Sequence, residues 1–233
     1  DQLYGDGGND IIKGQDGNDY ASGGSGNDEI TGGRGNDRLF GDSGNDNLTG
    51  GSGNDELWGG SGDDGSAGGS GNDTIVSGDG DDSAAGGDGD DLMYMGSGDD
   101  LAVGGTGNER MYGESGNDKL DGQDGDDTVD GGSGDDLVDG GDGDDVVYGG
   151  SGNDIVRGGL GDDELWGGEG CDVFAFCEED FGCKDVIKDF SAFYDPDQID
   201  LSALDIDIIR VEETGFTRAV RLDLLGEGGA LAQ

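Results

Sequence analysis

One apolar residue recurs every nine positions along most of the chain, in a setting of glycine, asparagine and aspartate. The unit is Gly-Gly-x-Gly-x-Asp-x-U-x, where U is a large apolar residue, as in residues 23–31 and again in 32–40. The pattern runs from Gly5 to Ala175 without insertion or deletion, which makes 19 consecutive nonads. Glycine holds the fourth position of every unit, and aspartate holds the sixth of every unit except one, where Glu109 stands. A flexible linker would not keep this phase, so the pattern predicts a repetitive fold.

Each nonad is predicted to form a turn followed by a short strand. Its first six residues are rich in glycine, which permits positive φ and close backbone approach. Its last three residues, such as Glu56-Leu57-Trp58, are predicted to be the strand, with the middle side chain on one face and its neighbours on the other. If two nonads complete one coil, stacked coils form two parallel sheets that face each other across the apolar position-eight residues. The predicted fold class is therefore an all-β parallel β-solenoid.

One part of the array departs from the apolar pattern. Position eight holds a small residue instead of a large apolar one in four units, namely Ala21, Ser66, Ala84 and Ala102. Ser77 and Met95 replace the first glycine of their units. We therefore expect residues 59–103 to be the least stable stretch.

The charge composition restricts the function. The chain has 57 acidic and 11 basic residues, a net charge of -46, and no histidine. The absence of histidine excludes a catalytic triad and histidine-ligated zinc or haem. The scarcity of lysine and arginine argues against nucleic-acid binding. No apolar run approaches the roughly 20 residues of a membrane-spanning helix.

The acidic residues themselves predict a cation. Carboxylates 18 residues apart, such as those of Asp118 and Asp136, would lie on neighbouring coils about 4.8 Å apart. Like charges at about 5 Å repel by about 3 kcal/mol at an effective dielectric of 20. Calcium, which takes six to eight oxygen ligands, would remove this repulsion, whereas magnesium demands stricter geometry, and zinc and copper favour nitrogen and sulfur. The sequence thus predicts metal binding coupled to folding.

The nonad is similar to the calcium-binding nonapeptide of RTX (repeats-in-toxin, hemolysin-type) proteins. The resemblance covers residues 5–175 and implies a right-handed parallel β-roll, in which aspartates and loop carbonyls of successive coils bind multiple Ca2+ ions. Because Glu109 is one methylene longer than aspartate, its site is expected to be weakened or rearranged. Carried over by position, the predicted side-chain ligands are Asp10, Asp19, Asp28, Asp37, Asp46, Asp55, Asp64, Asp73, Asp82, Asp91, Asp100, Glu109, Asp118, Asp127, Asp136, Asp145, Asp154, Asp163 and Asp172.

Two domains are predicted, a β-roll over residues 1–175 and a C-terminal segment over residues 176–233. Residues 185–190 and 197–204 resemble the cap that ends the array in serralysin-type proteins, and a role in secretion can coexist with capping. Alternation in residues 217–224 predicts a further strand. The first four residues fit positions six to nine of an earlier unit, so we expect the array to belong to a longer protein.

Three cysteines, Cys171, Cys177 and Cys183, lie close together in the sequence. A disulfide between Cys177 and Cys183 and three free thiols are both compatible with the pattern. An odd count excludes complete pairing within the chain.

Two binding functions are weighed against the pattern and disfavoured. The aromatic residues in position nine, from Tyr4 to Trp166, could form a sugar-binding stripe, but we interpret their spacing as irregular. Ice binding would need a regular threonine or asparagine ladder. Threonine occurs in position three only at Thr106, and eight aspartates interrupt the asparagines of position five.

The predicted function is a non-enzymatic calcium-binding module that folds where calcium is abundant. The resemblance implies a bacterial, secreted, extracellular protein exported by the type I secretion machinery. The alternatives are an accessory domain of a secreted protease, lipase or alginate epimerase, or a spacer in an RTX adhesin or toxin. Any catalytic domain would lie outside this chain, since abundant carboxylates without a pocket do not make an active site.

Overall fold

The computed structural model describes residues 1–176, 183–191 and 196–200 with their side chains, and residues 209–213 and 220–224 as backbone. All regular structure in these residues is β-strand, so none of them belongs to a helix that could span a membrane. The strands of the first half are β1 Gln2–Tyr4, β2 Ile11–Asp16, β3 Tyr20–Ser25, β4 Glu29–Arg34, β5 Arg38–Ser43, β6 Asn47–Ser52, β7 Glu56–Ser61, β8 Gly65–Ser70, β9 Thr74–Asp79, β10 Ser83–Asp88, β11 Leu92–Ser97 and β12 Leu101–Thr106. Those of the second half are β13 Arg110–Ser115, β14 Lys119–Asp124, β15 Thr128–Ser133, β16 Leu137–Asp142, β17 Val146–Ser151, β18 Ile155–Leu160, β19 Glu164–Glu169, β20 Val173–Ala175, β21 Val186–Ile187, β22 Gln198–Asp200, β23 Ile209–Glu213 and β24 Val220–Leu224.

The strands of the array divide between two parallel sheets according to whether their number is odd or even. Strands β1 to β19 with odd numbers pair in one sheet, and β2 to β22 with even numbers pair in the other. Paired residues are 18 positions apart, as in Leu57 opposite Ile75. Two nonads therefore make one coil, and the predicted parallel β-roll is confirmed.

Strands β2 to β19 are each six residues long, so the prediction of three-residue strands is wrong for them. Strand β7 continues past Trp58, and its last two residues pair with Gly78 and Asp79 of β9. Its fifth residue, Gly60, has a φ of 115°. Glycine tolerates this positive φ, so the backbone stays in the sheet. The turn therefore comprises only positions four to six of the unit.

The core is the row of position-eight side chains between the two sheets. Ser66, Ala84 and Ala102 lie on the adjacent strands β8, β10 and β12, so that the small residues gather on one sheet. Met95, on the other sheet, is fully buried in the same apolar cluster as Ala84 and Ala102. Met95, at a position normally held by glycine, thus adds volume to a cluster that contains the small side chains of Ala84 and Ala102. The lower stability expected for residues 59–103 stays a prediction.

All position-nine aromatic residues lie on the odd-numbered sheet. They are 18 or 36 residues apart, so the interpretation of their spacing as irregular is wrong. Neighbouring rings pack on one another across the strands, with centroids 4.6 Å apart in the Phe40–Trp58 pair and in the Tyr148–Trp166 pair. Such pairs add about 0.5–1.5 kcal/mol each to the contact between coils.

Short strands of the C-terminal segment extend both sheets. Strand β21 pairs with β19, β22 pairs with β20, and β24 lies antiparallel to β21 and to β23. Strand β24 falls within the residues for which alternation predicts a strand. The treatment of residues 176–233 as a separate capping domain stays a prediction.

Cys177 lies outside the described residues, and with it the proposed disulfide to Cys183. The sulfur of Cys183 accepts a hydrogen bond from the amide of Gly161 at 3.3 Å. Cys171 is exposed at the last turn of the array.

Candidate metal centres

The turns place the position-six carboxylates in two columns along the edges of the roll. Column one follows the even-numbered strands and consists of Asp19, Asp37, Asp55, Asp73, Asp91, Glu109, Asp127, Asp145 and Asp163. Column two follows the odd-numbered strands and consists of Asp10, Asp28, Asp46, Asp64, Asp82, Asp100, Asp118, Asp136, Asp154 and Asp172. All of these side chains except that of Asp10 are buried. The structure therefore brings together, in two rows, every residue predicted to be a ligand, and the assignment of each as a ligand stays a prediction.

One oxygen of each aspartate serves a hydrogen-bond ladder between coils. The amide of Asp46 donates to Oδ1 of Asp64 at 2.7 Å, and the amide of Asp118 donates to Oδ1 of Asp136 at 2.8 Å. The same bond joins successive aspartates throughout both columns, except between Asp91 and Glu109. The ladder fixes each carboxylate in one orientation, because Oδ1 is held by the next coil.

The second oxygen of the carboxylates is buried without a hydrogen-bond partner. This holds for Oδ2 of every column aspartate from Asp10 to Asp154, and for both oxygens of Glu109. A buried polar atom without a partner costs about 1–3 kcal/mol, and more when it is charged. The two rows of unsatisfied oxygens therefore require a counter-charge.

Glycine in position one leaves room for that counter-charge. A methyl group on Gly149 would lie 2.6 Å from Asp154 Oδ2 and 2.6 Å from the carbonyl oxygen of Gly167, one coil further on. Gly131 has the same surroundings, with Gly149 O at 2.5 Å and Asp136 Oδ2 at 2.6 Å. A carboxylate oxygen and a carbonyl oxygen thus point toward one space next to the glycine Cα. Ser77 and Met95 carry a side chain at this position of their units, and the hydroxyl of Ser77 donates to the sulfur of Met95 at 3.7 Å.

Burial of the carboxylates opposes their ionisation. Burial first, and then the charges of carboxylates on neighbouring coils, raise the pKa of Asp145 to about 8. The same two causes raise the pKa of Asp82, Asp118 and Asp154 to about 7. The ladder hydrogen bond acts in the opposite direction and lowers each pKa. Burial and the charge of Asp127 raise the pKa of Glu109 to about 8. The metal-free coil therefore resists carrying all its charges at neutral pH.

The donors fit calcium. Among the described residues, no three acidic or thiol side chains converge on one point, so side chains alone would not complete a metal shell. Carboxylate oxygens together with backbone carbonyls form a set of hard oxygen donors, which calcium accepts in flexible geometry. The set contains no nitrogen or sulfur, as zinc or copper would prefer.

Two residues that sequence reasoning missed continue the columns into the C-terminal segment. The amide of Asp163 donates to Oδ1 of Asp185 at 3.2 Å, and the amide of Asp172 donates to Oδ1 of Asp197 at 3.3 Å. The spacing is 22 and 25 residues instead of 18, so a search for a fixed period does not find them. The signal is the local pattern Asp-x-Ile, present at residues 185–187 and 197–199.

Comparison with known proteins identifies the repeat. The family model of the RTX calcium-binding nonapeptide repeat, described as four copies, matches residues 1–30, 31–65, 67–102, 103–138 and 139–174. A search of curated proteins gives no significant match.

One similar solved structure is a hyperactive, Ca2+-dependent, β-helical antifreeze protein from an Antarctic bacterium. It is 29% identical in sequence with a TM-score of 0.50, and the match covers 70% of this chain and 59% of that protein. This chain thus spans less than two thirds of the length of its neighbour. The family match extends over nearly all of the array, and it agrees with the two columns of oxygen donors. The chain therefore belongs to the RTX calcium-binding nonapeptide repeat family.

Proposed function

We propose that this chain is a calcium-dependent folding module of a larger, secreted bacterial protein. RTX repeats of this kind bind multiple calcium ions. In the proposal the module stays open where calcium is scarce and winds into the roll outside the cell, which supports export by the type I secretion machinery and later stabilises the protein. The observation that carries it is the pair of rows of buried carboxylate oxygens without a hydrogen-bond partner.

The dependence on calcium follows from the position of these oxygens. Each coil adds two carboxylates that stack on those of the preceding coil, and a typical one, such as Asp64, has Oδ1 bound in the ladder and Oδ2 unsatisfied. Without a cation, winding the coil buries these charges beside one another. With a cation between coils, the same oxygens become ligands. The cation therefore determines on which side the folding equilibrium lies.

The module itself is proposed to have no catalytic function. The solenoid is a structural repeat fold, and its buried carboxylates are engaged in the hydrogen-bond ladder between coils, as Asp64 is through Oδ1. The module would then serve either as an accessory domain of a secreted protease, lipase or alginate epimerase, or as a spacer in an adhesin or toxin. The remaining sequence of the parent protein would distinguish these roles.

The antifreeze activity of the structural neighbour is not proposed for this chain. The side chains of position five do form a ladder, as in the bond from the amide of Asn27 to Oδ1 of Asn9. However, this ladder mixes asparagine with charged aspartate, as in the bond from the amide of Asp99 to Oδ1 of Asp81. A row with this alternation of charge lacks the regular spacing of uncharged groups that an ice-like surface would need.

Circular dichroism of the chain tests the proposal. Addition of calcium to the metal-free chain should produce a cooperative gain of β signal that EDTA reverses and that magnesium at the same concentration does not reproduce. If the β signal is the same in EDTA and in calcium, the roll stands without metal and the proposal is wrong. Absence of β structure in both conditions would also contradict it.

A further inference from the structure

Glu109 interrupts an otherwise uniform column. It is the glutamate among the position-six residues, and its side chain is 1% exposed. In the preceding coils the amide of Asp73 donates to Oδ1 of Asp91 at 2.7 Å. The corresponding bond from Asp91 to Glu109 is missing, because neither oxygen of Glu109 has a hydrogen-bond partner. Both oxygens of this carboxylate are therefore uncommitted, whereas Asp91, one coil earlier, has one uncommitted oxygen.

The additional methylene leaves one oxygen of Glu109 near the usual position and takes the other out of the ladder. A methyl group on Gly104 would lie 2.9 Å from Oε2 of Glu109 and 2.5 Å from the carbonyl oxygen of Gly122. Oε2 therefore has the same neighbours as Oδ2 in the aspartate turns. A methyl group on Gly107 would lie 2.9 Å from Oε1. One oxygen thus occupies the usual ligand position, and the other reaches the position-four glycine of the same turn.

The next carboxylate of the column belongs to Asp127, one coil further on. Two neighbouring carboxylates are both acceptors, so whatever lies between them must bring a proton or a cation. One oxygen of Asp127 is fixed, because Oδ1 accepts a hydrogen bond from the amide of Glu109 at 2.7 Å. Its Oδ2 has no hydrogen-bond partner. Three carboxylate oxygens without a donor therefore belong to this one pair of residues.

We propose that Glu109 and Asp127 form a cation site distinct from the others, in which Glu109 binds the ion through both of its oxygens. The inference rests on the proposed calcium-binding function. A bidentate carboxylate raises the number of oxygen ligands, which suits calcium and similar large cations and does not suit the strict octahedron of magnesium. Affinity in calcium sites depends on the charge count and the rigidity of the ligands, and a bidentate carboxylate supplies two ligand atoms that are rigidly joined. This site is thus the preferred position of the array for a large, hard cation. Of the two expectations from the sequence, a weakened or a rearranged site, the proposal follows the second.

Paramagnetic substitution in the folded chain tests this inference. Gadolinium(III) is a hard cation close to calcium in size that favours many oxygen ligands, and it broadens the NMR signals of nearby amides. A small, substoichiometric amount is added to the calcium-loaded, 15N-labelled chain, in which the remaining calcium keeps the roll folded. The amides next to Glu109 and Asp127 should lose intensity first. Uniform loss along both columns, or first loss elsewhere, would overturn the proposal.

Two variants localise the effect. Glu109→Asp should restore the regular turn and abolish the preference, so that the loss of signal spreads over both columns. Asp91→Glu places a glutamate one coil earlier in the same column and should create a second preferred position there. An unchanged pattern in Glu109→Asp would contradict the assignment. Failure of the underlying function would differ from these outcomes, since calcium alone would then leave the amide spectrum of the metal-free chain unchanged.

Discussion

The amide of Asp118 donates to Oδ1 of Asp136, one coil later, at 2.8 Å, while Oδ2 of Asp136 is buried without a hydrogen-bond partner. One side chain thus combines a structural bond with a free ligand atom. The two roles belong to different oxygens, and substitutions can separate them. An amide in place of the carboxylate keeps an oxygen for the ladder and loses the charge.

Asp136→Asn should have opposite effects with and without calcium. In EDTA the variant should be more stable than the wild type, because removal of one of two like charges at about 5 Å relieves a repulsion of about 3 kcal/mol or less at an effective dielectric of 20. In calcium it should be less stable, because a ligand is lost. The β signal of circular dichroism in EDTA and urea unfolding in calcium measure the two shifts.

The matched control is Asp135→Asn, which removes the same charge from the adjacent residue of the same turn. Asp135 is exposed, and its Oδ1 accepts the amide of Asn153 at 2.7 Å, a bond that an amide oxygen can replace. Little change is expected in either condition. Equal effects of the two substitutions would mean that overall charge, and not the buried oxygen, controls folding.

The stability of the metal-free chain should fall as the pH rises. In the folded chain the pKa of Asp145 is raised to about 8 and that of Asp154 to about 7. Protonated carboxyl groups therefore stabilise the metal-free roll, and this contribution is complete at pH values below the ordinary pKa of 3.8. It is lost as the pH rises from about 4 to about 8. Circular dichroism in EDTA should therefore show more β structure at pH 5 than at pH 8.

Calcium binding should release protons from the same groups. The release should be larger at pH 6 than at pH 9, since more of the raised groups still carry a proton at the lower pH. Titration in a weak buffer with a pH electrode measures it, and Asp145→Asn should reduce it. If pH 6 and pH 9 give the same release, the carboxyl groups of the empty roll are not protonated as their burial requires.

The sequence predicts the coil well because its period fixes the register. Once two nonads form a coil, Leu57 must face the same side as Ile75, and the columns of aspartates follow without further information. Two features do not follow from the period. The ladder continues from Asp163 to Asp185 across 22 residues instead of 18. Met95 fills part of the core, and this role depends on small residues of the opposite sheet. Both depend on contacts between segments whose spacing is not 18 residues.

Met95→Ala should destabilise the calcium-loaded roll by about 2–5 kcal/mol, as expected when a buried methionine is truncated. The Met95 side chain is fully buried in the core cluster that contains Ala84 and Ala102. These two side chains are too small to fill the cavity that the truncation would leave. Leu101→Ala, on the exposed outer face of β12, serves as control and should change stability little. Urea unfolding in saturating calcium compares them. A gain in stability would show instead that Met95 mainly obstructs a metal position.

Gly149→Ala should weaken calcium binding through occupied space rather than backbone strain. Gly149 is not among the glycines with positive φ, so alanine can adopt its backbone conformation. The added methyl group would lie 2.6 Å from both Asp154 Oδ2 and the carbonyl oxygen of Gly167, the two atoms that face the proposed ion. Overpacking of this kind costs about 1–3 kcal/mol. The calcium midpoint of folding should rise, and native mass spectrometry should count fewer ions per chain.

Gly65→Ala provides the comparison for that experiment, since it also adds one methyl group to a glycine without positive φ. Its new methyl group would lie 2.8 Å from Oδ1 of Asn47, at the end of a flexible side chain that can move, and would touch no column carboxylate. The calcium midpoint and the ion count should therefore stay at the wild-type values. If Gly149→Ala also binds as many ions as the wild type at the same midpoint, the space beside the position-one glycine does not hold the ion. In that case the unsatisfied Oδ2 atoms must meet their cation on another side of the turn.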